Sequence, residues 1–204
     1  MKTGAVIVAA GMSTRMCQFK QLMTIGNIPM AERVIMNFQH AGIRDIAVVT
    51  GYQGEKLEQS LRHLHVRCLK NENYRTTEMF DSAKIGLKYI KDLCEQTFFC
   101  PADVPVFTED TVKNLLQYND MLVQPVYCGK IGHPVKINCS LIPDILRYKG
   151  DRGLKGALDS LGVKPLKIAV DDRGTVMDAD TKEDYERLVS VYEEQCLKKD
   201  GGKS

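Results

Sequence analysis

Two cationic side chains, Arg15 and Lys20, follow the first apolar run of the chain. The run, residues 5–10, consists of small and β-branched side chains, a composition typical of a strand that is buried on both faces. It ends at Gly11, where the backbone can turn sharply or let a ligand approach closely. Backbone amides and two positive charges just beyond a buried strand predict a polyphosphate site. The residue types alone equally allow an ordinary surface loop in which both charges are solvated.

This first loop lacks two common nucleotide-binding patterns. It contains no G-x-x-x-x-G-K-[ST], the P-loop of kinases and ATPases, and no G-x-G-x-x-G, the dinucleotide fingerprint. The sequence therefore excludes these two modes of phosphate binding for the loop.

A carboxylate stands at the end of another apolar run. Residues 97–102 lead directly into Asp103, and ligands of parallel sheets bind beyond the carboxyl ends of the strands. A carboxylate among phosphate-binding groups would repel the ligand unless it held a magnesium ion that also bridges to phosphate oxygens. Residue type and position therefore predict an Mg²⁺ ligand. The alternative is an aspartate that opens a turn before Pro105.

Alternating strand and helix patterns place these residues in an α/β fold. The pattern predicts a single Rossmann-like, three-layer domain with a mostly parallel sheet. Thr108 is predicted to cap a helix, and Thr181 with Asp184 resembles a capping box. The predicted strands cover residues 5–10, 46–51, 66–69, 97–102, 122–127, 135–137 and 166–170. The predicted helices cover residues 30–42, 54–63, 79–93, 108 onward, 141–147, 153–161 and 181–197.

The amino-acid composition limits the classes of protein to which the chain can belong. A chain of 204 residues with 44% hydrophobic and 26% charged residues is typical of a globular domain, predicted here over residues 1–197 with a flexible tail at 198–204. A net charge of +2 without a basic run argues against nucleic acid as a partner. No apolar stretch is long enough to span a membrane. Seven scattered cysteines without C-x-x-C and four histidines predict reduced thiols, no zinc site and a cytoplasmic location.

The first loop resembles the signature loop of a nucleotidyltransferase family that includes molybdenum cofactor cytidylyltransferase. The similarity rests on Ala9-Ala10-Gly11-x-Ser13-x-Arg15-Met16-x-x-x-Lys20, with Cys17 where relatives usually have glycine. Further segments resemble family motifs in family order: 77–87, with Glu78 where many relatives have glycine, 101–105, 132–135, 150–153 and 177–184.

The resemblance implies a role for each matched residue. Arg15 and Lys20 would bind the triphosphate and neutralise the leaving group, and Asp103 and Asp180 would hold the catalytic Mg²⁺. Whether Asp178 is a third metal ligand is left open. Asp184 is interpreted as a carboxylate at the N-terminus of a helix. His133 is interpreted as a positioned loop residue rather than a base. The nucleotide would be held by Ala9, Ala10, Gly11, Met12, Ser13 and Thr14, together with Ser82.

The implied reaction moves a nucleoside monophosphate from an NTP to a phosphorylated acceptor and releases pyrophosphate. Ala10, where guanylyl-transferring relatives tend to have glycine, favours CTP. Molybdopterin is the implied acceptor and a molybdoenzyme apoprotein a further partner. The alternatives are a cytidylyl- or uridylyltransferase for a sugar phosphate, methylerythritol phosphate or phosphocholine, and a nucleotide- or cofactor-binding chaperone without turnover.

Two structural expectations follow from these assignments. Asp103 and Asp180 must converge on one divalent ion opposite the first loop. Lys20→Ala is expected to lower turnover far more than stability, on the premise that Lys20 is solvated.

Overall fold

A twisted sheet forms the centre of the protein in the computed structural model, which describes residues 1–12 and 19–201, with side chains up to residue 197. Its strands run in the order β10-β7-β9-β6-β1-β4-β5, with β8 paired to β7, and β2 and β3 form a separate hairpin. The pairs β1–β4, β1–β6, β4–β5 and β7–β10 are parallel, whereas β9 is antiparallel to both its neighbours. The strands are β1 Thr3–Ala9, β2 Thr24–Ile25, β3 Ile28–Pro29, β4 Asp45–Thr50, β5 Arg67–Lys70, β6 Gln96–Pro101, β7 Leu122–Tyr127, β8 Lys130–Ile131, β9 Val135–Asn138 and β10 Leu166–Ala169.

Helices cover both faces of the sheet. The helices are α1 Met30–His40, α2 Gly54–Leu61, α3 Met79–Ile90, α4 Glu109–Leu116, α5 Ile142–Arg147, α6 Gly153–Ser160 and α7 Lys182–Gly201. One core cluster joins the sheet to α1, α2 and α4, and a second joins its other face to α3, α5 and α6. A third cluster packs α7 against the β2–β3 hairpin.

The central strand β1 shows why its sequence is apolar throughout. Ala5, Ile7 and Ala9 point into one core cluster, whereas Val6 and Val8 point into the other. Side chains alternate between faces along a strand, so a strand with helices on both sides needs apolar residues at every position.

The chain changes direction across the sheet at β1. From β1 it continues through β4 to β5 on one side, and then returns to form β6 on the other side of β1. The amide of Ala102 donates to the carbonyl of Val8 (2.9 Å), so the ends of β6 and β1 lie side by side. Such a switch point opens a crevice at the carboxyl ends of the two strands.

The structure confirms the α/β class, the mostly parallel sheet and both predicted caps. Thr108 Oγ1 accepts from the Thr111 amide (3.3 Å), and Thr181 Oγ1 accepts from the Asp184 amide (3.1 Å). The sequence did not predict β2, β3 or β8, because two-residue strands are too short to show a period. The last helix extends to Gly201, four residues beyond its predicted end. Within the described residues, no helix has the length and apolarity to cross a membrane.

Candidate active site

Two carboxylates and one lysine meet at the crevice. Lys20 Nζ lies 2.6 Å from Asp103 Oδ2 and 3.2 Å from Asp180 Oδ1. The two aspartates are separated by 77 positions in the sequence, and each lies beyond the end of a different element. Asp103 and Asp180 therefore lie on either side of the same lysine, although they are far apart in sequence.

The backbone brings the two aspartates together. Asp103 lies just beyond β6, with Ala102 between them, and the buried Ala179 donates its amide to the Asp103 carbonyl (3.0 Å). This hydrogen bond fixes the segment that carries Asp180 against the end of β6. Lys20 is the first residue of a 3-10 turn, Lys20–Leu22, and its side chain contacts both aspartates from there.

Lys20 is largely buried, so the premise that it is solvated is wrong. Its side chain is 13% exposed, close to the 14% of Asp103 and well below the 43% of Asp180. Burial by itself lowers the pKa of Lys20, but the two carboxylates outweigh burial and leave the pKa above its usual value. Lys20 is therefore a permanent cation held between two anions.

Asp178 lies near the same two aspartates. Partial burial, followed by the charges of Asp103 and Asp180, raises the pKa of Asp178. The neighbouring Asp184 has a different surrounding. Its Oδ2 accepts from the hydroxyl of Thr181 (2.7 Å), which lowers the pKa of Asp184 and confirms that it belongs to the helix cap.

A first cavity opens beside the end of β1. It has a volume of about 120 Å³ and includes Ala10, Gly11, Lys20, Ser82 and Asp103 among its lining residues. We call it the nucleotide-side cavity, after the residues predicted to hold the nucleotide. Ser82, predicted to contact the nucleotide, is only 2% exposed and accepts a hydrogen bond at Oγ from Asn71 Nδ2 (2.9 Å).

Two buried amides near this cavity were not predicted. Gln21, 3% exposed, donates from Nε2 to the Gly11 carbonyl (3.3 Å) and lines the cavity. Asn71, also 3% exposed, donates to Thr77 Oγ1 (3.0 Å) as well as to Ser82. Gln21 could have been predicted from its position directly after Lys20. Nothing in the local sequence distinguishes Asn71.

A second, larger cavity lies on the α3, α5 and α6 side of the sheet. Its volume is about 550 Å³, and it shares Glu78, Met79, Pro101 and Asp103 with the nucleotide-side cavity. We call it the acceptor-side cavity. Asp178 and Asp180 line it, as do residues of the two segments predicted to border the acceptor, Gly132, His133, Val135 and Gly153. The two cavities therefore meet at Asp103.

The other residues of the first loop that were predicted to bind the nucleotide lie in different surroundings. Ala9 is buried within the core cluster beneath α1 and α2, and Met12 is 43% exposed. Ser13, Thr14 and Arg15 lie outside the described residues.

The donor set is suited to a divalent cation of the Mg²⁺ type. Lys20 already places one positive charge between Asp103 and Asp180, so this position stabilises a cation. Mg²⁺ typically binds one or two carboxylates and completes its shell with water and phosphate oxygens. No cluster of three or more His, Cys, Asp or Glu residues suited to a metal occurs in the described residues. A two-carboxylate site that relies on substrate phosphates is consistent with this finding.

Comparisons with known proteins identify relatives of this chain. Residues 5–165 match the MobA-like NTP transferase domain. The chain is 24% identical over 191 residues to the molybdenum cofactor cytidylyltransferase of Escherichia coli K12, a match that covers 93% of this chain and 96% of that protein. It also matches the bifunctional protein GlmU of Staphylococcus haemolyticus, of whose length it spans 26%.

Solved structures show the same fold. A nucleotidyl transferase from Methanothermobacter thermautotroptrophicus superposes with a TM-score of 0.84 at 18% identity, covering 95% of this chain and 98% of that one. Rv0371C from Mycobacterium tuberculosis H37Rv, solved in complex with manganese, gives a TM-score of 0.75 at 18% identity over 93% and 99% of the two chains. The match over residues 5–165 shows the family, which the motif of the first loop had predicted. The chain belongs to the MobA-like NTP transferases.

Proposed function

We propose that this protein transfers CMP from CTP to a phosphorylated small-molecule acceptor, with molybdopterin as the first candidate, in an Mg²⁺-dependent reaction that releases pyrophosphate. The observation that carries the proposal is the meeting of Asp103, Asp180 and Lys20 where the two cavities join. A reaction between two bound substrates needs such a junction.

The acceptor needs no general base in this proposal. The second pKa of a phosphomonoester is about 6, so its oxygen is already ionised near neutral pH. The catalytic problem is instead the approach of two anions and the charge that develops on pyrophosphate. Lys20 supplies a fixed positive charge at the junction, which stabilises that developing charge without reorganisation.

Asp103 and Asp180 would hold the divalent ion. Bound there, Mg²⁺ supplies Lewis-acid stabilisation of the phosphate that reacts. The manganese complex of a protein with the same fold supports a divalent ion for this fold. Asp178, whose pKa is raised by partial burial and by the charges of Asp103 and Asp180, would remain beside the ion.

Two features support CTP and a molybdopterin-like acceptor. Ala10 lines the nucleotide-side cavity, at the position where guanylyl-transferring relatives tend to have glycine, which supports CTP. The match to the Escherichia coli enzyme covers nearly the full length of both proteins, so it includes the segments that line the acceptor-side cavity.

The test is an assay of pyrophosphate release. Each of CTP, GTP, UTP and ATP is combined with molybdopterin, glucosamine 1-phosphate, methylerythritol phosphate or phosphocholine, with and without Mg²⁺. We expect release from CTP with molybdopterin only when the metal is present. Release with another acceptor would favour a different cytidylyl- or uridylyltransferase, and binding of CTP without release would favour a carrier or chaperone.

Substitution of the junction carboxylates gives a first prediction. Asp103→Asn and Asp180→Asn should each lower kcat by about 100-fold or more, because each removes a group that holds charge at the reacting phosphate. Asp110→Asn is the matched control, since Asp110 is 82% exposed in the first turn of α4 and away from the cavities. Full activity in both site variants would remove the proposed metal site.

A further inference from the structure

Lys20 contacts the same two carboxylates that are proposed to hold the metal ion. Its Nζ lies 2.6 Å from Asp103 Oδ2 and 3.2 Å from Asp180 Oδ1. An ammonium group and a divalent cation that bind the same carboxylates repel each other, and this repulsion is strong where little water screens it. The side chains of Lys20 and Asp103 are only 13% and 14% exposed. The lysine and the ion therefore compete for the two aspartates.

Lys20 also lines the cavity assigned to the nucleotide. Ala10, Gly11 and Asp103 lie in the same cavity wall. A triphosphate bound there brings several negative charges to the ammonium group, and charge-assisted hydrogen bonds from lysine to phosphate oxygens are strong. Lysine carries its charge on a long flexible stem. The phosphates can therefore replace the carboxylates as partners of Lys20.

The backbone at Lys20 is held in place, so a change of partner requires movement of the side chain only. The Met23 amide donates to the Lys20 carbonyl (3.0 Å) and closes the 3-10 turn. The next residue, Gln21, is 3% exposed and donates from Nε2 to the Gly11 carbonyl (3.3 Å). These contacts fix the point from which the Lys20 side chain extends.

The balance of charge favours the ion only when the triphosphate is bound as well. Lys20 neutralises part of the charge of Asp103 and Asp180, which leaves a weaker site for a divalent cation. Mg²⁺ held by one or two carboxylates usually takes further ligands from substrate phosphates. The described part of the chain offers no group of three or more His, Cys, Asp or Glu side chains that could hold a metal by itself.

We infer that Lys20 is a built-in competitor of the metal ion: it holds Asp103 and Asp180 until the triphosphate binds, and its transfer to the phosphates then opens both carboxylates to the ion. The inference rests on the proposed function, because it takes the nucleotide-side cavity as the triphosphate site. It goes further by giving an order of binding, in which the metal binds with the nucleotide and binds poorly alone. The transfer accompanies substrate binding, so the charge of Lys20 is in position before the reaction begins.

Titration with Mn²⁺ in the absence of nucleotide tests the competition directly. Electron paramagnetic resonance measures the free Mn²⁺. The affinity of Lys20→Met for Mn²⁺ should be about tenfold or more above that of the wild type, because the lysine no longer occupies the aspartates. Lys20→Arg keeps the positive charge and should bind Mn²⁺ as weakly as the wild type. Adding Asp103→Asn to Lys20→Met should remove the gain, which assigns it to this site.

Lys113→Met is the matched control for the loss of a lysine between two carboxylates. Lys113 Nζ lies 2.8 Å from Glu109 Oε1 and 3.7 Å from Asp110 Oδ1, but its side chain is 46% exposed on α4. Its removal should leave Mn²⁺ binding unchanged, because exposed carboxylates without further ligands hold a divalent ion weakly. Urea unfolding checks that each variant is folded, and Lys20→Gln replaces Lys20→Met if the latter is not.

Nucleotide binding without metal measures the other half of the exchange. Calorimetric titration in EDTA with CTP, GTP, UTP and ATP identifies the nucleotide that binds the wild type. Lys20→Met should bind this nucleotide about tenfold more weakly, because the phosphates lose a charged hydrogen-bond donor. The exchange therefore predicts that the variant gains affinity for Mn²⁺ and loses affinity for the nucleotide. A lysine that only stabilised the fold would not shift the two affinities in opposite directions.

The outcomes separate this inference from the proposed function. Opposite shifts of the two affinities, without pyrophosphate release from any mixture of substrates, would overturn the proposed function and leave the competition standing. Pyrophosphate release from CTP, with equal Mn²⁺ affinity in Lys20→Met and the wild type, would overturn the inference alone. Any other result in which the two affinities do not shift in opposite directions would also overturn it.

Discussion

Lys20 occupies the position of a cation between Asp103 and Asp180. Without its ammonium group and without a metal, the two carboxylates would lose the cation that both of them contact. Lys20 is therefore expected to stabilise the fold as well as the reaction, contrary to what a solvated lysine would do. The ion pairs of Lys20 contribute less to stability than a fully buried ion pair would, because Asp180 is 43% exposed.

Lys20→Met should accordingly lower both kcat and stability. We expect a loss of about 1–2 kcal/mol in EDTA, or roughly 2–8 °C in Tm. Added Mg²⁺ should restore part of this loss, because it replaces the missing charge. Thermal unfolding of wild type and variant in EDTA and in Mg²⁺ measures the effect. An equal Mg²⁺ response in both proteins would contradict this account.

The cysteines differ in reactivity according to burial. Burial, with a smaller effect of Cys94, raises the pKa of Cys139 to about 12, whereas Cys128 is exposed. The thiolate is the reactive form, so Cys139 should be nearly inert near pH 8. Peptide mapping after brief treatment with iodoacetamide should find Cys128 alkylated and Cys139 protected until urea is added. Fast labelling of Cys139 in the native protein would contradict the structure.

Among the elements, α3 packs unusually close to the sheet at Gly86. A Cβ atom at this position would overlap Val6 Cγ1 and lie 3.0 Å from Val49 Cγ2. Valine has little χ1 freedom to move away, so the contact cannot relax easily. The absence of a side chain at Gly86 therefore sets the distance between α3, which carries Ser82, and β1, which leads into the first loop.

Gly86→Ala should destabilise the protein by about 1–3 kcal/mol, despite the better helix propensity of alanine, because overpacking outweighs the gain of about 1 kcal/mol. Urea unfolding gives the free-energy change, with the exposed Lys88→Ala on the same helix as control. The double variant Val6→Ala/Gly86→Ala should recover part of the loss. A neutral or stabilising Gly86→Ala would show that α3 can move outward freely.

Sequence patterns predicted the elements well where they are long and apolar. The run of β1 and the periodicity of α1 were sufficient, because burial on one or both faces leaves a regular pattern. The β2–β3 hairpin has no such pattern. At the site, Lys20 and Asp103 could be placed from their positions after apolar runs. Asp180 required the family motif, because a long-range backbone hydrogen bond brings its segment to Asp103.

The buried polar residues were the least predictable part of the site. Gln21, Asn71 and Gln124 stand in sequence among unrelated neighbours, and their partners or cavities come from distant segments. A buried amide has no local signature, because its environment is created by the packing of the sheet and helices. Predicting such residues needs the tertiary structure.

At the scale of the whole molecule, topology creates the two-cavity arrangement. The switch between β1 and β6 opens the crevice, and the antiparallel β9 continues the sheet beyond β6 toward β7 and β10. One side of the crevice is lined by Ala10, Gly11 and Lys20, and the other by Gln124 and His133. Asp103 stands between them, at the end of β6, and lines both cavities.

Two titratable groups in this fold, His133 and Asp178, have opposite effects on how stability changes with pH. Burial lowers the pKa of His133, so between about pH 6.5 and its folded value the unfolded chain binds a proton that the folded chain does not. Stability is therefore lost as the pH falls through this window. Asp178 acts oppositely at lower pH, because partial burial and its neighbours raise its pKa and the folded chain binds the proton first.

Comparison with His133→Phe isolates the contribution of the histidine. Urea unfolding of both proteins at pH 8 and at pH 5.5 should show that the wild type loses more stability than the variant over this interval, because only the wild type gains an unfolded-state proton at residue 133. Since Asp178 is present in both proteins, its effect cancels in the difference. Equal losses in the two proteins would mean that His133 is as readily protonated in the folded chain as in the unfolded chain.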